Sequence, residues 1–160
     1  MAGRRLESRC QGSLCDFCHN LIDSKEKTMI KGSCLCGGVQ YEYDGELREL
    51  VICHCNMCKR AQGTPFATNS PINSDLFRIV TGDDLLKSYY SSEKKKRVFC
   101  ADCGSPIFSQ KTDMPEVLRL RVGTVTCGKI PQPGYQQHCE SRSNWFVLRD
   151  DLPSYIRKKT

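Results

Sequence analysis

Cys53-His54-Cys55-Asn56-Met57-Cys58 supplies three thiols within six residues, and a further cysteine pair lies on each side of it along the chain. The two pairs are Cys34-Leu35-Cys36 and Cys100-Ala101-Asp102-Cys103. Cysteines one or two residues apart bind zinc far more readily than they form disulfides with distant partners. The sequence therefore predicts a fold organised around two metal sites, with two zinc ions per chain.

Spacing alone leaves open how the seven cysteines divide between the two sites. Joining the two outer pairs is favoured because it leaves no ligand over, and it makes the sites unequal. The outer pairs together supply four thiolates, the donor set of a closed structural site, and the middle cluster keeps three, which leave a fourth position for water or a substrate. Glycine follows each outer pair, at Gly37 and Gly104, and allows a turn in which backbone N–H groups point at the sulfurs. The predicted ligands are Cys34, Cys36, Cys100 and Cys103 for the structural zinc, and Cys53, Cys55 and Cys58 for the second, catalytic zinc.

The open position of the second site has alternatives at this stage. His54, Cys127, His138 or Cys139 could close it, although His54 sits between two ligands and is expected to point away. Three thiolates and Zn²⁺ carry a net charge of −1, so the site could accept a fourth thiolate from a small molecule and hold it deprotonated. This favours a reaction that uses a thiol.

Composition favours one reduced, zinc-stabilised domain. The chain has 160 residues, of which 39% are hydrophobic and 12 are cysteine. No apolar segment follows the basic N-terminal residues as it would in a signal peptide, and no run approaches the roughly 18 apolar residues of a membrane span. We therefore expect a cytoplasmic protein without a membrane partner. The sequence specifies no oligomeric state.

The formal charge of +6 is a weak sign of nucleic-acid binding. Seven thiolates and two zinc ions would lower it to about +3, which is ordinary for a soluble enzyme. The basic run from Lys94 to Arg97 has no interleaved aromatic residues and is interpreted as a solvated hairpin turn. Arg119 and Arg121 are interpreted as the solvent face of a strand. Nucleic acid is therefore not a favoured partner.

Short alternating segments predict a mainly β, antiparallel fold with little helix. Only Asn56 to Gln62 has a helical pattern, which Gly63 and Pro65 should end. Residues 1–28 differ in composition from 29–160, and we expect either a mobile extension or a true start at Met29. The predicted strands are 39–43, 76–80, 86–90, 97–99, 107–109, 117–122 and 145–147.

From about Ile30 to Tyr155 the chain resembles the glutathione-dependent formaldehyde-activating enzyme family, which includes centromere protein V. The resemblance rests on Gly32-Ser33-Cys34-Leu35-Cys36-Gly37-Gly38, on Cys53-His54-Cys55-Asn56-Met57-Cys58-Lys59-Arg60 and on Phe99-Cys100-Ala101-Asp102-Cys103-Gly104-Ser105-Pro106. It implies a single-domain β-tent with the two zinc sites above. It also implies a carbon–sulfur lyase that adds glutathione to formaldehyde and gives S-hydroxymethylglutathione.

The resemblance is looser near the C-terminus. Ser141, Arg142 and Trp145 fit the family pattern, but Ser143 and Asn144 replace a small residue and a proline. Because this segment should shape the substrate pocket, the thiol could be glutathione or a similar molecule, and the aldehyde could be formaldehyde or a related small aldehyde. The alternatives are a non-catalytic, zinc-stabilised protein that binds a nucleic acid or a protein, and a metal-storage or redox-sensing role.

Overall fold

A computed structural model describes residues 29–147 and 153–157, so the predicted extension 1–28 lies outside the described residues. The described chain forms eleven strands and one α-helix, with four short 3₁₀ turns. The strands are β1 Ile30–Ser33, β2 Gln40–Tyr43, β3 Leu50–Cys53, β4 Ala67–Asn73, β5 Phe77–Thr81, β6 Leu86–Ser92, β7 Lys95–Cys100, β8 Pro106–Lys111, β9 Met114–Arg121, β10 Val125–Cys127 and β11 Pro133–Gln137, and helix α1 is Asn56–Gln62. The predicted mainly β class is confirmed.

The strands form two sheets. The smaller has the order β10-β1-β2-β5 and the larger has the order β11-β3-β4-β9-β8-β7-β6. All neighbours are antiparallel except β11 and β3, which run parallel, with Tyr135 opposite Val51. The expectation of wholly antiparallel sheets is wrong at this edge. There β11 and β3 are separated by about half of the chain, so no hairpin connection fixes their relative direction.

The core lies between the two sheets. The smaller sheet contributes buried side chains such as Ile30 and Tyr41, and the larger contributes Ile72, Leu118 and Leu120. Strand β9 alternates as predicted, because Leu118 and Leu120 face this core while the arginines of the strand face the other way. The opposite face of the larger sheet is therefore available for a site.

The strand predictions fail in two ways: strands β1, β3, β4, β10 and β11 are missed, and one predicted segment does not form a strand. Strand β3 was not predicted because all four of its residues are buried and show no alternation. The predicted strand 145–147 is a turn followed by irregular chain, and its Trp145 side chain is 71% exposed. That tryptophan therefore does not belong to the core.

Helix α1 has the predicted bounds. The Cys55 sulfur accepts a hydrogen bond from the backbone N–H of Cys58 and caps the first turn. Gly63 ends the helix in a left-handed conformation with φ 71°, and its N–H donates to the Lys59 carbonyl. Among the described residues, no helix combines the length and apolar character that crossing a bilayer requires.

Candidate metal centres

The four-cysteine cluster, Cys34, Cys36, Cys100 and Cys103, joins one turn from each sheet. Cys34 and Cys36 follow β1 of the smaller sheet, whereas Cys100 ends β7 of the larger sheet and Cys103 lies in the turn before β8. The four sulfurs lie within 4.8 Å of one another. Two measured separations are 3.3 Å, from Cys34 to Cys36, and 3.9 Å, from Cys36 to Cys100. Sulfurs at the corners of a ZnS₄ tetrahedron lie about 3.8 Å apart, given Zn–S bonds of about 2.3 Å.

Backbone turns direct N–H groups at sulfurs of this cluster, as we predicted from the glycine that follows each cysteine pair. Gly37 has φ 76° and Gly104 has φ 72°, a conformation that residues with a Cβ rarely adopt. The turn after Cys36 brings the N–H of Val39 to 3.2 Å from the Cys34 sulfur. Such donors stabilise thiolates and therefore favour metal binding.

Hydrogen bonds also prepare the Cys103 thiol to ionise. They involve the Ser105 hydroxyl, whose oxygen lies 3.3 Å from the Cys103 sulfur, and the backbone N–H groups of Cys36 and Ser105, and together they lower the pKa of Cys103 to about 5. Cys34 and Cys100 are buried within the main core. A metal at this cluster would link residues 66 positions apart (Cys34 and Cys100) and hold the two sheets together.

The three-cysteine cluster, Cys53, Cys55 and Cys58, lies at the end of β3 and the start of α1. Its three sulfurs also lie within 4.8 Å of one another. Cys53 is the last residue of its strand and Cys55 is the helix cap, so the strand-to-helix turn sets their positions. In the chain that the structure describes, no other His, Cys, Asp or Glu ligand atom joins this cluster.

None of the four residues that the sequence offered as a possible fourth ligand has a ligand atom in the three-cysteine cluster. His54 is buried on the other side of the strand, where its Nε2 lies 2.7 Å from Oε1 of Gln136. His138 lines a cavity that opens over this cluster, and its Nδ1 lies 3.5 Å from the Glu140 carboxylate. Cys127 and Cys139 also lie outside the cluster. The described residues thus bring three candidate ligands together in this cluster.

Two arginines face the three-cysteine cluster. Both guanidinium ends of Arg97 contact the Cys58 sulfur, at 3.9 and 4.0 Å. Arg121 also hydrogen-bonds Cys58, and its side chain is only 3% exposed. The interpretation of the two basic segments as a solvated turn and a wet strand face is wrong at these positions. A buried arginine requires a negative partner, which the thiolates supply.

The surroundings of the cluster favour ionisation of Cys58, the sulfur that the arginines contact. Hydrogen bonds from Cys53 and Cys55 hold the pKa of Cys58 far below that of a free thiol, and the charges of Arg121 and Arg97 lower it further. Hydrogen bonds to Cys55 and Cys58, together with burial, raise the pKa of Cys53. A cation at the cluster would remove this inequality by stabilising all three thiolates.

A cavity of about 280 Å³ opens over the three-cysteine cluster. All three thiols line it, as do basic side chains from three adjacent strands, β7, β8 and β9. The basic residues are Lys95, Arg97, Lys111 and Arg119. Alternation along β9 gave the one sequence signal for this face, since it placed Arg119 and Arg121 on the same side. Which residues pack against that side of β9 depends on contacts between segments that are distant in sequence.

A family model described as "glutathione-dependent formaldehyde-activating enzyme" matches residues 29–141, which include both cysteine clusters. The chain belongs to this family. The match ends at residue 141, so Ser143 and Asn144, which depart from the family pattern in sequence, lie beyond the matched region. All four basic residues that line the cavity lie within the matched residues 29–141.

Two individual proteins are similar to this family member. An uncharacterized lyase of Schizosaccharomyces pombe is 28% identical over 83 residues, which are 52% of this chain and 58% of that protein. The crystal structure of a Rhodobacter sphaeroides protein is 28% identical, with a TM-score of 0.53, and the alignment covers 64% of this chain and 92% of that one. The chain thus spans less than two thirds of its curated relative and nearly all of its structural relative.

Proposed function

We propose that each cysteine cluster binds one zinc ion. The sulfur separations of 3.3 and 3.9 Å bracket the spacing of a ZnS₄ tetrahedron, and backbone N–H groups donate to Cys34 and Cys55. Thiolate is a soft donor that selects zinc over magnesium or calcium. The four-cysteine cluster then holds a closed structural site, and the three-cysteine cluster holds a site with one position left for another ligand.

We propose that the protein is a carbon–sulfur lyase that acts in the direction of addition, and joins a small thiol to formaldehyde or a related aldehyde. The observation that carries this proposal is the position of the three-cysteine cluster at the base of a cavity. A closed structural site has no need of an open ligand position or of an adjoining cavity. Membership of the family supports the same chemistry.

The proposed reaction conserves every atom. The thiol loses its proton, its sulfur attacks the carbonyl carbon, a carbon–sulfur bond forms, and the carbonyl π pair moves to oxygen, which takes up a proton. A zinc ion held by Cys53, Cys55 and Cys58 would supply a Lewis acid that lowers the pKa of the reacting thiol. The chain contributes by fixing the cluster: hydrogen bonds from Cys53 and Cys55 favour ionisation of Cys58, the charges of Arg121 and Arg97 add to this, and the cavity walls orient the thiol toward the aldehyde.

A rate measurement tests this function. The zinc-loaded protein is mixed with glutathione and formaldehyde, and the rate of adduct formation is compared with the spontaneous rate and with the rate given by Cys55→Ser. We expect a rate above the spontaneous one, proportional to protein concentration, that Cys55→Ser abolishes. A rate equal to the spontaneous one for glutathione and for smaller thiols would instead favour a non-catalytic binding protein.

A further inference from the structure

Positive side chains form two rows on the cavity face of the larger sheet. Arg97 of β7 lies opposite Ser109 of β8, which lies opposite Arg119 of β9. In the next row, Lys95 lies directly opposite Lys111. Like charges directly opposite one another destabilise a sheet, so this arrangement carries a cost that folding alone does not require.

These cations lack enough negative charge around them. Among the described residues that line the cavity, none is Asp or Glu. The ion pairs of the described residues involve other cations: Lys31 and Arg78 pair with Glu42, and His138 lies near Glu140. The three-cysteine cluster with zinc would carry −1, which Arg97 and Arg121 already exceed. Lys95, Lys111 and Arg119 therefore have charge to offer to a ligand.

The size and position of the cavity restrict that ligand to a small molecule. A volume of about 280 Å³ is at the lower end of ordinary ligand pockets and is too small for a nucleic-acid strand or a protein segment. The same cavity contains the cysteine cluster, so one molecule can reach the cluster and the cations together. Arg119 is hydrogen-bonded to Tyr135, which restrains the guanidinium before a ligand arrives.

We propose that Lys95, Lys111 and Arg119 form an anion subsite that binds the acidic end of the thiol substrate, so that thiols with two or more negative charges are preferred over neutral and cationic ones. This inference rests on the proposed thiol chemistry at the neighbouring cluster. Carboxylates and phosphates share the chemistry that this subsite recognises, because lysine and arginine bind both through charge-assisted hydrogen bonds.

Equilibrium binding to the zinc-loaded protein tests the subsite without requiring turnover. Calorimetry compares mercaptosuccinate, a dicarboxylate thiol, and 4′-phosphopantetheine, a phosphate thiol, with neutral 2-mercaptoethanol and cationic cysteamine. We expect at least one anionic thiol to bind tenfold or more tightly than 2-mercaptoethanol, about the gain from one charge-assisted hydrogen bond. The anionic thiol that binds more tightly identifies the preferred acid. Anionic thiols that bind no better than 2-mercaptoethanol would overturn the proposal.

Paired variants test the residues themselves. Lys95→Gln combined with Lys111→Gln should weaken binding of the preferred anionic thiol about tenfold or more and change 2-mercaptoethanol binding less than about twofold. The control combines Lys87→Gln with Lys94→Gln, two exposed lysines outside the cavity, and should bind as the wild type does. Equal weakening of both thiols, or of neither, contradicts the subsite.

Two further arms keep the result interpretable. If circular dichroism shows that the double variant does not fold, Arg119→Gln is measured against exposed Arg48→Gln with the same expected selectivity. In the wild type, added salt should weaken anionic thiols and leave 2-mercaptoethanol unchanged. Turnover is recorded in parallel: absence of turnover with every thiol refutes the proposed function, whereas equal use of charged and neutral thiols refutes only the subsite.

Discussion

The Cys58 sulfur lies 3.9 Å from Nη2 of Arg97, and the two atoms belong to segments 39 residues apart in the chain. Arg97 is on β7 of the larger sheet, and Cys58 is in the first turn of α1, which follows β3, four positions from β7 in the same sheet. Arg97 and Arg121 both contact Cys58, so positive charges of the larger sheet belong to the candidate metal centre. The centre is therefore more than a local cysteine motif.

Arg97→Gln should weaken zinc binding at the three-cysteine cluster about tenfold, because residues that hydrogen-bond to metal ligands typically contribute 10- to 100-fold in affinity. Competition with a chromophoric chelator measures the two zinc affinities separately. Exposed Arg48→Gln is the matched control and should leave both unchanged. Loss of affinity at the four-cysteine cluster instead would show that the contact has been assigned to the wrong site.

Cys36→Ser should remove the structural zinc and lower the free energy of unfolding by more than about 4 kcal/mol, a size that loss of a bound metal can reach. The reason is that this cluster joins the two sheets through residues distant in sequence. Urea denaturation followed by circular dichroism measures the change. Cys127→Ser, in a thiol outside both clusters, should cost less than about 1 kcal/mol. Similar losses in both variants would contradict the structural role.

Leu120→Ala should destabilise the fold by about 2–5 kcal/mol, because the side chain is completely buried between the sheets and its removal leaves a cavity. Thermal or urea unfolding measures the loss. Leu76→Ala, in a surface turn where the residue is 41% exposed, is the control and should cost about 1 kcal/mol or less. Comparable costs at the two positions would mean that the core does not lie where β9 faces the smaller sheet.

Anion binding should weaken as the pH rises from 7 to 9.5. Burial lowers the pKa of Lys95 to about 8, as do the charges of Arg119, Arg121 and Arg97, while Cys58 opposes the shift. Lysine is charged below its pKa, so the attraction is present at pH 7 and is lost as the pH passes through about 8. Lys111 faces Lys95 from the adjacent strand.

Tricarballylate is a suitable probe because it has no thiol and keeps its full charge across this range. Its affinity for the wild type should fall several-fold between pH 7 and pH 9.5. In Lys95→Gln it should be weaker at pH 7 and nearly independent of pH. An equal pH dependence in the variant would assign the titration to another group.

The features that could be predicted from the sequence are those set by neighbouring residues. The spacing of the cysteines gave the two sets that the fold brings together, and Gly63 marked the end of α1. Alternation along β9 placed Leu118 and Leu120 on the opposite side from the arginines. In each case the contacts join residues that are close in sequence, or they are contacts that binding of a single metal ion would require.

The features that could not be predicted depend on pairing between distant segments. The parallel pairing of β3 and β11 joins segments about 80 residues apart and leaves no local signal. Arg97 and Arg121 are buried because their face of the larger sheet lies against the turn before α1. A basic residue on an alternating strand has the same sequence pattern whether water or a thiolate lies beyond it.

Metal analysis of Cys55→Ser tests the central claim, that the chain has one closed and one open zinc site. The account predicts that this variant retains one zinc per chain and the circular dichroism of the folded protein, while the wild type holds two. Cys139→Ser, outside both clusters, should still hold two. Loss of both zinc ions together with the fold, or retention of two in Cys55→Ser, would contradict the account.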